Sequence, residues 1–400
     1  APTAPILLLM SGANYMAYAN YITNFPNDRT SDLNSSDRNR KKLKRREDWE
    51  SKYGASPSGW PVGPEEKYMA EQNLLSLYTH HSDGSGVCYS SRLRPIMNFR
   101  PKDRNVGMNG PMGTFSDDLH LVDWLDEKGY EYDVADDEDL HREGLDLLSN
   151  YRVIITGTHP EYWSEQMLIA LENYQNMGGN HMYMGGNGFY WVTSYDPERP
   201  HVIEVRRYRG SNTWEAKLGE YYHSTTGERG SLWKFRNREP QKLVGVGFAS
   251  QGSGHSRPYH RAPGSFDPRA AFIFEGIGDD EIIGDFGLML NGAAGYEFDR
   301  ADISFGTPQH ALILAIASNF SENYTHCIEE VIIMDSMQTG TTNTLVRAEM
   351  VYFETPNGGA VFSTASISYC GSLSHNNYDN NISRITDNVL KRFISEEPII

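Results

Sequence analysis

Short unbroken apolar runs punctuate the chain, and between them apolar residues recur at helical spacing. Ile6-Leu7-Leu8-Leu9-Met10, after Pro5 and before Ser11-Gly12, reads as a buried strand. Val153-Ile154-Ile155 and His181-Met182-Tyr183-Met184 also read as strands, and residues 130–134 make another. Between these runs, Ser116 is placed to cap a helix with Asp117-Asp118 in its first turn and Lys128-Gly129 at its end. Leu119, Val122 and Leu125 line its inner face. Residues 138–149 predict a second helix and residues 65–77 a further one. Ser164 caps another, in which Met167, Leu168, Leu171 and Tyr174 precede Gly178-Gly179. Strand and helix alternate, which predicts an α/β fold built on a doubly wound, mostly parallel sheet.

The texture changes after Pro200. Alternating segments such as Val202-Ile203-Glu204-Val205, rich in glycine and charge through Arg269, predict hairpins and long loops. The expected organisation is therefore an α/β domain over residues 1–199 that carries the site, and a β-rich insertion or subdomain over 200–275. Residues 276–400 complete the α/β domain. Strands are predicted at 286–290, 296–298, 311–318, 345–353 and 360–363, the last after the turn Asn357-Gly358-Gly359. Residues 382–394 form an amphipathic helix with Ile382, Ile385, Val389 and Phe393 on one face.

Length and composition narrow the function. Four hundred residues allow one large or two intimate domains. The run from Ile6 to Met10 is far too short to span a bilayer. The chain starts almost inside a strand, as expected for part of a longer polypeptide. Cys88, Cys327 and Cys370 lie far apart, which implies a reducing, cytoplasmic setting with neither a zinc knuckle nor a disulfide framework. A formal charge of −17 argues against nucleic acid as a partner. Residues 38–46 are almost all Lys and Arg, and are expected at a subunit contact or on open surface. The 24 tyrosines supply both aromatic walls and hard oxygen donors.

Candidate chemistry collects at predicted strand ends, where open α/β sheets place their ligands. Thr156-Gly157-Thr158-His159-Pro160-Glu161-Tyr162-Trp163 follows a strand and offers an imidazole and a carboxylate two residues apart. Residues 13–21, expected as a loop, carry Tyr15, Tyr18 and Tyr21. Tyr78, His80, His81 and Asp83 sit in a second polar segment, and Asn187 follows Gly185-Gly186. His80 and His81 are adjacent, so on a strand they would point to opposite faces and would not share one ion. No GxSxG, HExxH or strand-to-helix GxGxxG motif is present. The sheet pattern suits an amidotransferase-like fold, yet no cysteine occupies a strand–helix elbow. A metal or acid–base mechanism gains by elimination.

Several stretches in order resemble the large subunit of the N,N-dimethylformamidase family, along the C-terminal part of that longer chain. They are Ala17-Tyr18-Ala19-Asn20, Ser76-Leu77-Tyr78, Arg94-Pro95, His159 to Trp163, Gly185 to Trp191, Phe362-Ser363 and Ser383 to Leu390. The resemblance implies an amidohydrolase acting on a small N-substituted formamide. It also implies one mononuclear, ferric iron held by Tyr18, Tyr78 and Glu161, with Tyr15 and Tyr21 as the alternatives to Tyr18. His159, Asn187 and Glu297 would surround its open face. A small partner subunit, further copies of the chain and no membrane are the partners expected from it.

Overall fold

Strand β1 (Ile6–Met10) is apolar at every position and buried along its whole length, as a strand covered on both faces must be. In this computed structural model, which describes residues 2–21, 64–101, 103, 115–210, 214–327, 337–397 and 399, it lies inside the largest sheet. β1 pairs in parallel with β3 (Tyr132–Asp136) and β4 (Val153–Thr156). β4 pairs in parallel with β6 (Asn180–Tyr183), and β6 with β15 (Ala360–Ser363). Beyond β15 the direction alternates through β14 (Ala348–Glu354), β12 (Leu312–Ala317) and β10 (His260–Arg261). The sheet is thus mixed, with a parallel run at one side and antiparallel strands at the other.

Alternating side chains of this sheet enter two apolar layers. Leu8, Ile155, Met182 and Phe362 pack with the helices Phe115–Lys128 and Asn381–Ile394. Leu7, Leu9, Ile154 and Val361 pack with the helices Gly12–Ala17 and Glu165–Asn176. Each fully buried aliphatic side chain contributes about 1.5–3 kcal/mol, so both layers together fix the strand ends that carry the site.

Two small sheets stand beside it. One has the order β2 (Tyr89–Ser91), β8 (Val202–Val205), β7 (Trp191–Tyr195), β5 (Tyr162–Trp163). The other has the order β11 (Glu297–Arg300), β9 (Gly247–Gly252), β13 (Tyr324–His326). Residues 200–275 give β8, β9 and β10, one strand to each sheet. Among the described residues, no helix is long and apolar enough to cross a membrane.

Several expectations need correction. Residues 12–17 form a helix where a loop was expected, although Ser11 makes no side-chain cap; burial of Ala13 through Ala17 supplies what local signals lack. The next capping signal is displaced, since Ser116 lies inside a helix that begins at Phe115. The helix at 138–149 is broken at Gly144, whose φ of 60° splits it into Asp137–Glu143 and Leu145–Leu148. The helix at 65–77 stops at Glu71, with Asn73 left-handed just beyond it. Residues 286–290 are not a strand: Leu290 and Asn291 both turn to positive φ. The basic run 38–46 lies outside the described residues.

Candidate active site

The helix-led loop after β1 and the loops after β4 and β6 meet beyond the carboxyl ends of these strands. The loop after β4 is held first by Asp118, whose Oδ1 accepts from Thr158 N at 2.6 Å and from Thr158 Oγ1 at 2.9 Å. Glu161 N then donates to His159 O at 2.9 Å, a three-residue turn about Pro160 that brings the two functional side chains together. Gly186 N reaches Thr158 O, Phe189 N reaches Pro160 O, and Tyr190 and Trp191 N reach Glu161 O, at 2.7–3.2 Å. The loop after β6 is thereby stitched to the loop after β4.

Five of the six expected site residues come from these loops and from the segment before β2, and Glu297 opens β11. Tyr18 OH donates to Glu161 Oε2 at 3.0 Å, and Tyr78 OH to the same oxygen at 3.4 Å. The other oxygen, Oε1, accepts from Trp191 Nε1 at 3.0 Å. His159 Nε2 lies 3.3 Å from Glu161 Oε2 and 3.2 Å from Glu297 Oε2. Among the described residues, Asn187 Oδ1 has no hydrogen-bond partner. Asn187 Nδ2 donates to Glu297 Oε2 at 2.8 Å.

The alternatives for the first tyrosine separate. Tyr15 turns away: its hydroxyl donates to Asp118 and its ring packs against Phe99 and Phe115. Tyr21 flanks the site, with its ring 6.0 Å from Tyr18 and 4.9 Å from Tyr78. The Tyr18 hydroxyl meets Glu161. His80 and His81 lie apart, in the small bridge that pairs His80 with Gly86, and His81 is exposed.

Burial governs the electrostatics. Together with the neighbouring Glu161 carboxylate, it raises the Tyr18 and Tyr78 phenols well above their ordinary value. It would lower His159, but Glu161 and Glu297 outweigh it and lift the imidazole to about 8. Burial also raises Glu161 itself, against the lowering effect of His159. Among the described residues, no three His, Cys, Asp or Glu side chains are gathered to hold a metal ion.

Some participants escaped the sequence reading. Arg207 is wholly buried, stacks 4.2 Å from the Tyr78 ring centre and donates to Tyr162 OH at 2.7 Å. Tyr162 OH in turn meets Tyr78 OH. In Glu204-Val205-Arg206-Arg207 the arginine reads as one more hairpin charge, and nothing local marks it. Asp299 accepts from Asn187 N at 2.7 Å and from Tyr183 OH at 2.8 Å. Its spacing of two from Glu297 could have found it.

A sequence profile described as N,N-dimethylformamidase beta subunit-like, C-terminal, matches residues 1–380. The N,N-dimethylformamidase beta subunit of Paracoccus aminophilus is 44% identical over 401 residues, covering 99% of this chain and 49% of that protein. The beta subunit of Alcaligenes sp is 43% identical over the same length, again covering 99% and 49%. The chain thus spans about half the length of these curated relatives. Among solved structures, a thua-like protein from Bacteroides uniformis is similar at a TM-score of 0.36 and 11% identity, over 70% of this chain and 83% of that one, too weak a likeness to define a shared fold. By profile and by identity, this chain belongs to the N,N-dimethylformamidase beta subunit-like family.

Proposed function

We propose that the site is the mononuclear iron centre of an amidohydrolase that cleaves a small N-substituted formamide, such as N,N-dimethylformamide, to an amine and formate. One observation carries the reading: two phenols and a carboxylate from three separate segments converge, Tyr18 and Tyr78 on Glu161 Oε2. The donor set fits ferric iron, because phenolate and carboxylate are hard anionic oxygens. It also fits a cation in general. Burial beside Glu161 holds both phenols protonated, and only a nearby positive charge can reverse that preference. Arg207, over the Tyr78 ring, contributes in the same sense.

When bound, the iron would polarise the amide carbonyl and acidify a water molecule. The protein's own groups do the rest. Glu297 takes the proton of the attacking water and returns it to the departing amine. Asn187 holds that carboxylate in place through the bond from Nδ2 to Oε2. His159 stands between two carboxylates, and it orients the water or the substrate oxygen.

The finer architecture belongs to the same proposal. The parallel run β3-β1-β4-β6-β15 has helices on both faces and a site outside its carboxyl ends, which supports an amidotransferase-like, doubly wound arrangement. The relatives are named as beta subunits, which supports a partner subunit; further copies of the chain and a cytoplasmic setting complete the proposal. Amine release from N,N-dimethylformamide tests the activity: it should stop on iron removal with a chelator and return with added iron. A protein that releases amine equally well after chelation would sink the iron reading, and one that never releases amine would sink the substrate.

A further inference from the structure

Arg207 lies two residues beyond β8, where Ala216 N fixes its backbone by donating to Arg207 O at 2.7 Å. Its side chain is wholly buried and braces Tyr78 in three ways. Nε donates to the carbonyl of the preceding residue, Leu77, at 3.3 Å. The guanidinium lies over the Tyr78 ring, 4.2 Å from its centre. Nη2 donates at 2.7 Å to the Tyr162 hydroxyl, which is itself hydrogen-bonded to the Tyr78 hydroxyl. A planar fork held at Nε and Nη2 together keeps one orientation, which a flexible ammonium would not.

Donors and acceptors fix the direction of this chain. A guanidinium has no acceptor, so the Tyr162 oxygen must accept from Arg207. Tyr78 gives its single hydroxyl proton to Glu161 Oε2 at 3.4 Å. The proton between the two phenols is then that of Tyr162, and it points at the Tyr78 oxygen. From Arg207 through Tyr162 and Tyr78 to Glu161, every bond runs donor to acceptor. Tyr18, whose hydroxyl meets Glu161 directly, has no part in this chain.

We propose that Arg207 and Tyr162 are positioning residues for the Tyr78 ligand: the guanidinium fixes the Tyr162 hydroxyl, and that hydroxyl keeps a hydrogen bond on the Tyr78 oxygen when the oxygen binds iron. The inference rests on the iron reading above. It makes the two phenols unequal ligands. A hydrogen bond donated to a ligand oxygen orients that ligand and draws electron density from it. Tyr78 is thereby the better aimed ligand and Tyr18 the stronger electron donor.

Iron titration of the full chain, followed by the tyrosinate-to-iron charge-transfer band, tests this. Tyr162→Phe removes the donor and keeps the ring. It should bind iron about 10–100-fold more weakly, the usual cost of losing such a partner. At saturating iron its band should lie at longer wavelength than in the wild type, because a phenolate without that hydrogen bond gives up its electron more readily. The band position decides, since a packing role would weaken binding without moving it. An unmoved band in iron-saturated Tyr162→Phe would overturn the inference, whatever the affinity. If Tyr162→Phe does not fold, Arg207→Lys decides: it keeps a positive charge but loses the fork, so its band should move the same way, and an unmoved band overturns the inference. A wild-type protein that takes up no iron, or takes it up without such a band, would overturn the iron reading itself, and this role with it.

Discussion

Tyr18 and Tyr78 lie with ring centres 4.4 Å apart, their planes tilted by 30°, and turn their hydroxyls to the same oxygen of Glu161. A buried phenol and a half-buried one, crowded on one carboxylate, are an unfavourable place to develop negative charge. Under the proposed reading, a bound cation would offset that cost. Tyr162 and the buried Arg207 continue the cluster behind Tyr78, so the site extends from a phenol–carboxylate face to a guanidinium at its back.

The proton-transfer role assigned to Glu297 predicts a clean separation of binding from chemistry. Glu297→Gln should keep its iron and lose turnover by about 10²–10⁴-fold, the usual contribution of a general acid–base group. His159→Ala should lose less. Steady-state kinetics beside metal analysis check this, and near-normal turnover in Glu297→Gln would move the base role elsewhere.

Two glycines hold the site loops together, and they should respond differently to a methyl group. A Cβ at Gly157 would overlap the Asp118 carboxylate, a side chain that can give; one at Gly185 would overlap the backbone of Thr158 and Gly157, which cannot. Gly185→Ala should therefore be the more destabilising, at or above the ~1–3 kcal/mol typical of overpacking. Denaturant unfolding measures both, and the reverse order would contradict the packing described here.

Asp299 predicts a pH dependence of stability. Burial lifts its carboxyl from 3.8 to about 7, against the lowering effect of the bonds from Asn187 N and Tyr183 OH. The folded state then keeps a proton that the unfolded chain has released, so this contribution is complete below 3.8 and lost as pH rises through about 7. An asparagine side chain in its place would mimic the protonated acid, so Asp299→Asn should gain on the wild type as pH rises from about 4 to 7 and hold its advantage above. Unfolding midpoints across that range check the sign. Parallel curves would show that Asp299 does not titrate in this window.

Much of the frame was legible because β1 and Val153-Ile154-Ile155 of β4 are unbroken apolar runs, as burial on both faces requires. The last helix was equally plain, since Ile382, Ile385, Val389 and Phe393 mark one face. The helix at Gly12–Ala17 was not, because it has no side-chain cap and is held by its burial. Within the site, His159 and Glu161 were visible as near neighbours in sequence. Tyr18 meets Glu161 across 143 residues, and no local pattern encodes that meeting. Family resemblance selected Tyr18 from the three tyrosines of its segment, and the geometry then placed its hydroxyl on Glu161. Arg207 stayed hidden because a charged residue after a β-strand is ordinarily solvated, and here it is enclosed by Tyr78, Tyr162 and Trp191.

Iron content measured together with the visible spectrum tests the central claim most directly. The wild-type protein should carry one iron per chain and show a tyrosinate-to-iron charge-transfer band. Tyr78→Phe should lose that band and most of the iron while keeping its fold, and Glu161→Gln should lose iron as well. Full iron retention in both variants would contradict the account.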